Sequence, residues 1–315
     1  MSSKKLLPLI LLPLLAACGG AEKKTEQAHF TYPQTRKVDT VDTYFKTKIA
    51  DPYRWLEDDR SVETGEWVKA QNAITGDYLS KIPFRDKIKE RLTKIWNYER
   101  RSVNCKKGKN YFFYKNDGIQ NQSVLYVQDG LSGTPRLLLD PNALAADGTV
   151  SLGDLSISKN GKHLAYTINR AGSDWSEINV MEIESSKKLS DEIKWVKFSN
   201  IAWQGDGFYY SAYDAPKTGS SELSNKNEFH KVFFHQLGNV QGKDELIYEE
   251  KDQPLHNYTA QTSDDEQLLY IYTNESTSGG ALAVKELGKK NAPFVTLVDN
   301  FENNYSVIDN EGTSL

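Results

Sequence analysis

Ile157-Ser-Lys-Asn-Gly-Lys-His-Leu-Ala-Tyr is the phrase on which the fold of this chain turns. A polar turn with a glycine is followed at once by an apolar, aromatic-ended run, which is a tight turn feeding a buried strand. The same phrase stands earlier as Cys105-Lys-Lys-Gly-Lys-Asn-Tyr-Phe-Phe-Tyr. It returns as Ala202-Trp-Gln-Gly-Asp-Gly-Phe-Tyr-Tyr-Ser and as Gln261-Thr-Ser-Asp-Asp-Glu-Gln-Leu-Leu-Tyr. A fifth copy opens at Ile308-Asp-Asn-Glu-Gly. The turns fall near Gly108, Gly161, Gly207, Glu266 and Gly312, a mean period of about 51 residues.

Each period holds further strands, such as Val124-Leu-Tyr-Val and Pro135-Arg-Leu-Leu-Leu in the first. Four strands in about fifty residues is the signature of a β-propeller blade, whereas a β-sandwich shows strands without a fixed longer period. The expected fold is therefore mainly β: a partial propeller of about four four-stranded blades over residues 99–315. Because a blade needs neighbours and the fifth phrase is cut within its first strand, the chain is expected to belong to a longer protein.

Outward from the repeats, residues 30–98 read as helical. Trp67, Gln71, Ile74 and Tyr78 mark one helix face, continued by Ile82, and Pro83 closes that helix. Phe84, Ile88, Leu92 and Ile95 mark the stripe of a second. At the N-terminus Lys4 and Lys5 precede an apolar run, Leu6 to Ala17, too short and too broken by Pro8 and Pro13 to span a bilayer. Leu15-Ala-Ala-Cys-Gly resembles a bacterial lipobox. Residues 1–18 are thus expected to be a lipoprotein-type signal, Cys18 the lipid-bearing residue, and 19–29 a polar tether. The place this implies is a bacterial cell envelope, with the protein periplasmic or anchored to a membrane. Cys105 would then be the second, unpaired thiol.

Composition removes other classes. Six Trp, 17 Tyr and 12 Phe in 315 residues supply too much burial for a disordered chain. A net charge of -4 argues against nucleic acid as partner. His230 and His235 could suggest a metal pair, but five residues apart on a strand they face opposite sides, and no ligand cluster completes a set. No metal or other cofactor is expected. Glu57, Asp58 and Asp59 read as a solvated helix-entry loop, and Trp175, Trp195 and Trp203 as packing between blades.

The longer phrases are specific. Asp51-Pro-Tyr-Arg-Trp-Leu-Glu-Asp, Ser61-Val-Glu-Thr and Trp67-Val-Lys-Ala-Gln-Asn-Ala-Ile-Thr resemble the N-terminal segment of prolyl oligopeptidase family serine peptidases. Arg170-Ala-Gly-Ser-Asp-Trp, Val196-Lys-Phe-Ser-Asn-Ile-Ala-Trp and His230-Lys-Val-Phe-Phe-His-Gln-Leu-Gly resemble that family's propeller. The resemblance implies a seven-bladed propeller over an α/β-hydrolase domain, of which residues 30–98 would form the N-terminal part. It implies a monomeric endopeptidase cleaving short peptides after proline, the propeller gating access.

The family's serine, aspartate and histidine lie in a C-terminal half. This chain contains no Gly-x-Ser-x-Gly elbow; Gly130-Leu-Ser-Gly comes nearest and lacks the last glycine, so no catalytic residue is assigned. By the same resemblance Phe198 is the propeller phenylalanine that offers a peptide an apolar contact, the alternative being a core position. Asn274 stands where the family has a substrate-binding arginine, a neutral donor with less reach. A sibling specificity for basic residues, faintly suggested by Asp58-Asp-Arg, and a non-catalytic peptide-binding lipoprotein are the alternatives.

Overall fold

The computed structural model describes residues 30–217 and 226–314; the signal run, the tether and Cys18 lie outside them. The chain divides into two compact units at Lys81/Ile82, which groups the second helix with the strands.

In the first unit, β1 (Val41–Tyr44) and β2 (Thr47–Ala50) form a hairpin closed by Phe45 and Lys46. Both turn residues have positive φ, 49° and 69°, the backbone that matches the twist of a tight hairpin. The Asp51-Pro-Tyr-Arg phrase has a local structural use. Arg54 pairs with Asp51 at 2.6 Å and with Asp42 of β1, so the hairpin is tied to the short helical turn that follows. Helix α1 (Val62–Ser80) starts where Ser61 Oγ accepts the Thr64 N–H at 3.0 Å, an N-cap contributing about 1 kcal/mol. Its Trp67 donates to Thr35 Oγ1 at 3.0 Å, and Arg36 pairs with Glu63 while lying 5.0 Å over the Trp55 ring. Trp67, Gln71 and Ile74 are half-buried, as the periodicity requires; Tyr78 is more exposed.

The second unit opens with α2 (Arg85–Trp96). Its apolar stripe lies largely bare: Ile88 and Leu92 are each 50% exposed and Ile95 47%. Among the described residues no element buries this face, so the amphipathic pattern is present without a core beneath it.

Four antiparallel blades follow in an open series, the second and third joined into one eight-stranded sheet. The first contains β3 (Arg100–Arg101) and β4 (Cys105–Lys107), both paired to β5 (Asn110–Asn116), then β6 (Val124–Asp129) and β7 (Arg136–Leu139). The second is β8 (Val150–Ile157), β9 (His163–Arg170), β10 (Ser176–Glu182) and β11 (Lys187–Val196). The third is β12 (Ala202–Gln204), β13 (Gly207–Ala212), β14 (Lys231–Gln236) and β15 (Glu245–Tyr248). The fourth is β16 (Asn257–Thr262), β17 (Leu268–Asn274), β18 (Ala281–Glu286) and β19 (Val295–Val298). One bridge, Glu311 to Ser314, begins the fifth phrase.

The repeated phrase is the turn between the first and second strands of each blade. Its apex residue takes left-handed backbone in all five copies: Gly108, Gly161, Gly205, Glu266 and Gly312 have φ between 55° and 70°. The third turn is therefore centred on Gly205-Asp206, two residues before the expected Gly207. Gly207 lies in β13, where a Cβ would meet Phe234 and the His235 carbonyl at 2.4–2.6 Å. The second and third blades are also less separate than the period suggests. Val196 at the end of β11 pairs with Ala212 of β13, after Trp195 has bent the strand with φ 62°.

Strand alternation builds the cores between blades. In β9, Leu164, Tyr166 and Ile168 join Phe112, Leu125 and Leu139 of the first blade, while Ala165 points the other way. In β13, Phe208, Tyr210 and Ala212 pack on Ile178, Val180 and Ile193 of the second blade. Tyr209 from the same strand packs with Tyr258, Leu269 and Ile271 of the fourth. Each middle strand thus serves two interfaces, which is why its residues read as a continuous apolar run.

Candidate functional site

Strand direction divides the blades into two ends. Each first strand runs toward its turn and each second strand runs back, so Gly108, Gly161, Gly205 and Glu266 share one end. Phe198, which precedes β12, and Asn274, which ends β17 opposite Asn257 at the start of β16, lie at the other.

At the turn end, contacts cross between blades. Lys159 Nζ pairs with Asp264 at 2.8 Å, and the Gly205 N–H donates to Glu266 Oε2 at 3.1 Å. Between the ends lies a cavity of about 540 Å3, walled by residues of the four first strands and their flanks, including Cys105, Lys107, Ile157, Ala202 and Thr262. The Cys105 thiol is free and exposed on this wall.

Phe198 is 55% exposed, so it is not a core residue. It sits at φ 52°, left-handed backbone that costs a non-glycine residue about 1–2 kcal/mol and persists only where neighbours enforce it. The enforcement is visible on both sides. The Lys197 carbonyl lies 2.9 Å from His230 Nε2, and Ser199 Oγ accepts the Ser211 N–H at 2.7 Å. His230 Nδ1 accepts the Tyr258 N–H at 2.9 Å, which leaves the proton on Nε2 to be donated to Lys197. Burial holds this imidazole down to a pKa of about 4 against the upward pull of that carbonyl, so it is neutral at ordinary pH. Lys197 Nζ lies 5.4 Å over the Phe198 ring and 5.2 Å over Trp175, with Asp174 3.6 Å away.

Asn274 turns its amide inward. Nδ2 donates to the Gly279 carbonyl at 2.8 Å and braces the loop from β17 to β18. Gly279 has φ 78° and a Cβ there would stand 1.9 Å from the Phe301 carbonyl, so this loop admits no side chain at that point. Phe198 and Asn274 thus share an end of the blades but differ in character, one exposed and apolar, the other spent on its own loop.

The three tryptophans separate as well. Trp203 is buried between blades, 5.2 Å edge-on to Phe208, and its Nε1–H donates to the Ser156 carbonyl at 3.1 Å. Trp175 and Trp195, expected in the same role, are half-buried and meet edge-on at 5.8 Å beside Arg170, Glu177 and Lys194. Trp175 still reaches the third blade through Tyr213 at 6.0 Å.

His230 and His235 face opposite sides of β14, and each is committed elsewhere than to a shared ion. His235 Nδ1 lies 2.7 Å from Asp244 and Nε2 3.0 Å from Asp191. Burial alone would lower its pKa, but the two carboxylates outweigh burial and raise it. Tyr210 OH donates to Asp244 at 2.7 Å and the Gly238 N–H to Asp191 at 2.6 Å. No group of three His, Cys, Asp or Glu arranged for a metal occurs among the described residues. Glu57 pairs with Arg54 at 3.3 Å in the helix-entry turn. Gly130, at φ 67°, is a hairpin turn whose carbonyl accepts from Gln128 Nε2, a different setting from a nucleophile elbow.

The Asp191–His235–Asp244 network had no sequence signal, because His235 and Asp191 stand 44 residues apart. The role of His230 was hidden similarly, by 33 residues between it and Lys197.

The chain is similar to known proteins over most of its length. Residues 33–315 match the family model of the prolyl oligopeptidase N-terminal beta-propeller domain. A prolyl endopeptidase of Elizabethkingia miricola is 45% identical over 285 residues, 90% of this chain. A dual function macrocyclase-peptidase of Amanita bisporigera is 32% identical over 92% of the chain. Among solved structures, prolyl oligopeptidase B from Galerina marginata, bound to a 35mer hydrolysis and macrocyclization substrate, superposes with a TM-score of 0.78 at 30% identity, covering 90% of this chain and 43% of that one. The chain spans 40% of the Elizabethkingia relative's length and 44% of the Amanita relative's. With matching sequence phrases, matching blades and a family model spanning nearly all of it, the chain belongs to the prolyl oligopeptidase family.

Proposed function

We propose that the full-length protein is a serine endopeptidase that cleaves short peptides on the C-terminal side of proline, and that residues 1–315 supply its gate and part of its substrate-facing surface. The observation that carries this is the 45% identity to a prolyl endopeptidase over 90% of the chain. The chemistry is acyl transfer by a serine assisted by histidine, with an oxyanion hole for the tetrahedral intermediate. None of that machinery is assigned to this chain, which has no Gly-x-Ser-x-Gly.

What its own residues do is select and hold. A cavity of about 540 Å3 bounded by the first strands of the blades has room for a segment of extended peptide. Phe198, exposed and conformationally pinned, is the apolar contact for the peptide. Asn274, with its amide donor committed to Gly279, leaves the peptide without the charged partner the family resemblance places there. Purified residues 1–315 are accordingly expected to show no turnover of a proline-containing peptide. Turnover sensitive to a serine-directed inhibitor would contradict this.

We also propose that Cys18 carries a lipid and places the protein in the cell envelope of a bacterium. Leu15-Ala-Ala-Cys-Gly after a short apolar run supports this. Cys18→Ser is expected to shift the protein from the membrane to the soluble fraction on cell fractionation. An unchanged membrane share would contradict the anchor.

A further inference from the structure

We infer, on the reading of Phe198 as a peptide contact, that His230 is a positioning residue for substrate binding. By donating from Nε2 to the Lys197 carbonyl it fixes the direction in which the Phe198 ring is presented. Three observations converge on it. His230 is 1% exposed and comes from the third blade, yet its two ring nitrogens reach backbone groups of two others, Lys197 after β11 and Tyr258 in β16. Its ring is clamped by Tyr213 at 4.5 Å and Tyr258 at 6.2 Å, so it has a single orientation from which to act. The backbone it holds is the residue before Phe198, whose left-handed conformation needs external support. The second pin, Ser211 N–H to Ser199 Oγ at 2.7 Å, lies on the residue after. An exposed aromatic fixed on both flanks presents its face at little further entropic cost when a peptide arrives.

Two substitutions separate the nitrogens. In His230→Asn the side-chain oxygen falls near the former Nδ1 and still accepts from Tyr258, but nothing reaches Lys197. In His230→Gln the terminal amide falls near Nε2 and still donates to Lys197. In the full-length protein, KM is measured for a peptide extended on both sides of its proline and for a minimal capped one. His230→Asn is expected to raise KM for the extended peptide about three- to tenfold, the range of one net hydrogen bond, with kcat and the capped peptide's KM held. His230→Gln is expected to return KM toward the parent value. Ser199→Ala, at a partly exposed position, removes the other pin and is expected to raise KM in the same direction; it serves where His230→Asn does not fold.

Equal KM changes in the Asn and Gln variants, or unchanged KM in both His230→Asn and Ser199→Ala while Phe198→Ala raises it, overturn the positioning role alone. Unchanged KM in Phe198→Ala overturns the peptide contact, and this inference with it.

Discussion

Asp191→Ala is expected to lower the free energy of unfolding by about 2–5 kcal/mol, the cost of leaving two buried N–H donors without an acceptor. Asp191, His235 and Asp244 are almost fully buried where the second and third blades meet, and both imidazole nitrogens face carboxylate oxygens. Both are satisfied only when both carry protons, so the ring is held as an imidazolium. Removing Asp191 leaves one N–H of that ring and the Gly238 N–H without an acceptor. Asp191→Asn keeps an acceptor while losing the charge, and is expected to cost less. The network also carries a pH signature. The folded pKa of His235 is raised above its unfolded value, so its contribution is complete below about pH 6.5 and is lost as pH rises through the folded value. Urea unfolding of the parent and of Asp191→Ala at acid and alkaline pH checks both statements. The gap between them should narrow as pH rises, and a constant gap would show that His235 does not titrate within it.

Trp203→Ala carries an expected loss of similar size, about 3–5 kcal/mol, from cavity formation at the same blade interface. The indole is 1% exposed, meets Phe208 edge-on at 5.2 Å and lies 6.2 Å from the stacked His163 ring. It also donates to the Ser156 carbonyl in the second blade, so one side chain holds two blades by area and by a directed bond. Trp203→Phe keeps much of the area and forfeits the bond, for which about 1–2 kcal/mol is expected. The ordering Ala well below Phe, measured by denaturant midpoint at unchanged slope, follows from packing dominating. Equal losses would assign the stability to the hydrogen bond instead.

What the sequence made legible was what local chemistry decides. A turn that needs left-handed backbone advertises itself with glycine, so Gly108 and Gly161 could be placed from the text alone. The third turn is ambiguous in sequence because Gly205-Asp-Gly offers two glycines, and only the contact with Phe234 tells which one lies in the strand. The fourth uses Glu266 at φ 58°, visible only because the surrounding phrase repeats. The stripe of α2 was legible as a pattern, but its exposure was not, since periodicity states that a face is apolar and not what covers it.

The candidate site was less legible for the same reason. Val-Lys-Phe-Ser-Asn-Ile-Ala-Trp places apolar residues on both sides of Phe198, so nothing local separates an exposed ring from a core one. Its exposure follows from a backbone conformation set by His230 and Ser211, residues 32 and 13 positions further on. Trp175, Trp195 and Trp203 likewise share a residue type but not an environment, because Trp175 and Trp195 sit half-buried at the ends of their strands while Trp203 lies within β12 between two blades.

We propose that this chain is the gating portion of a proline-specific endopeptidase. The most direct test is to incubate the full-length gene product with a short peptide containing one internal proline and to identify the products by mass. Cleavage of the bond on the C-terminal side of that proline, abolished by a serine-directed inhibitor, is the expected result. Intact peptide, or cleavage at basic residues with the proline bond untouched, would contradict it.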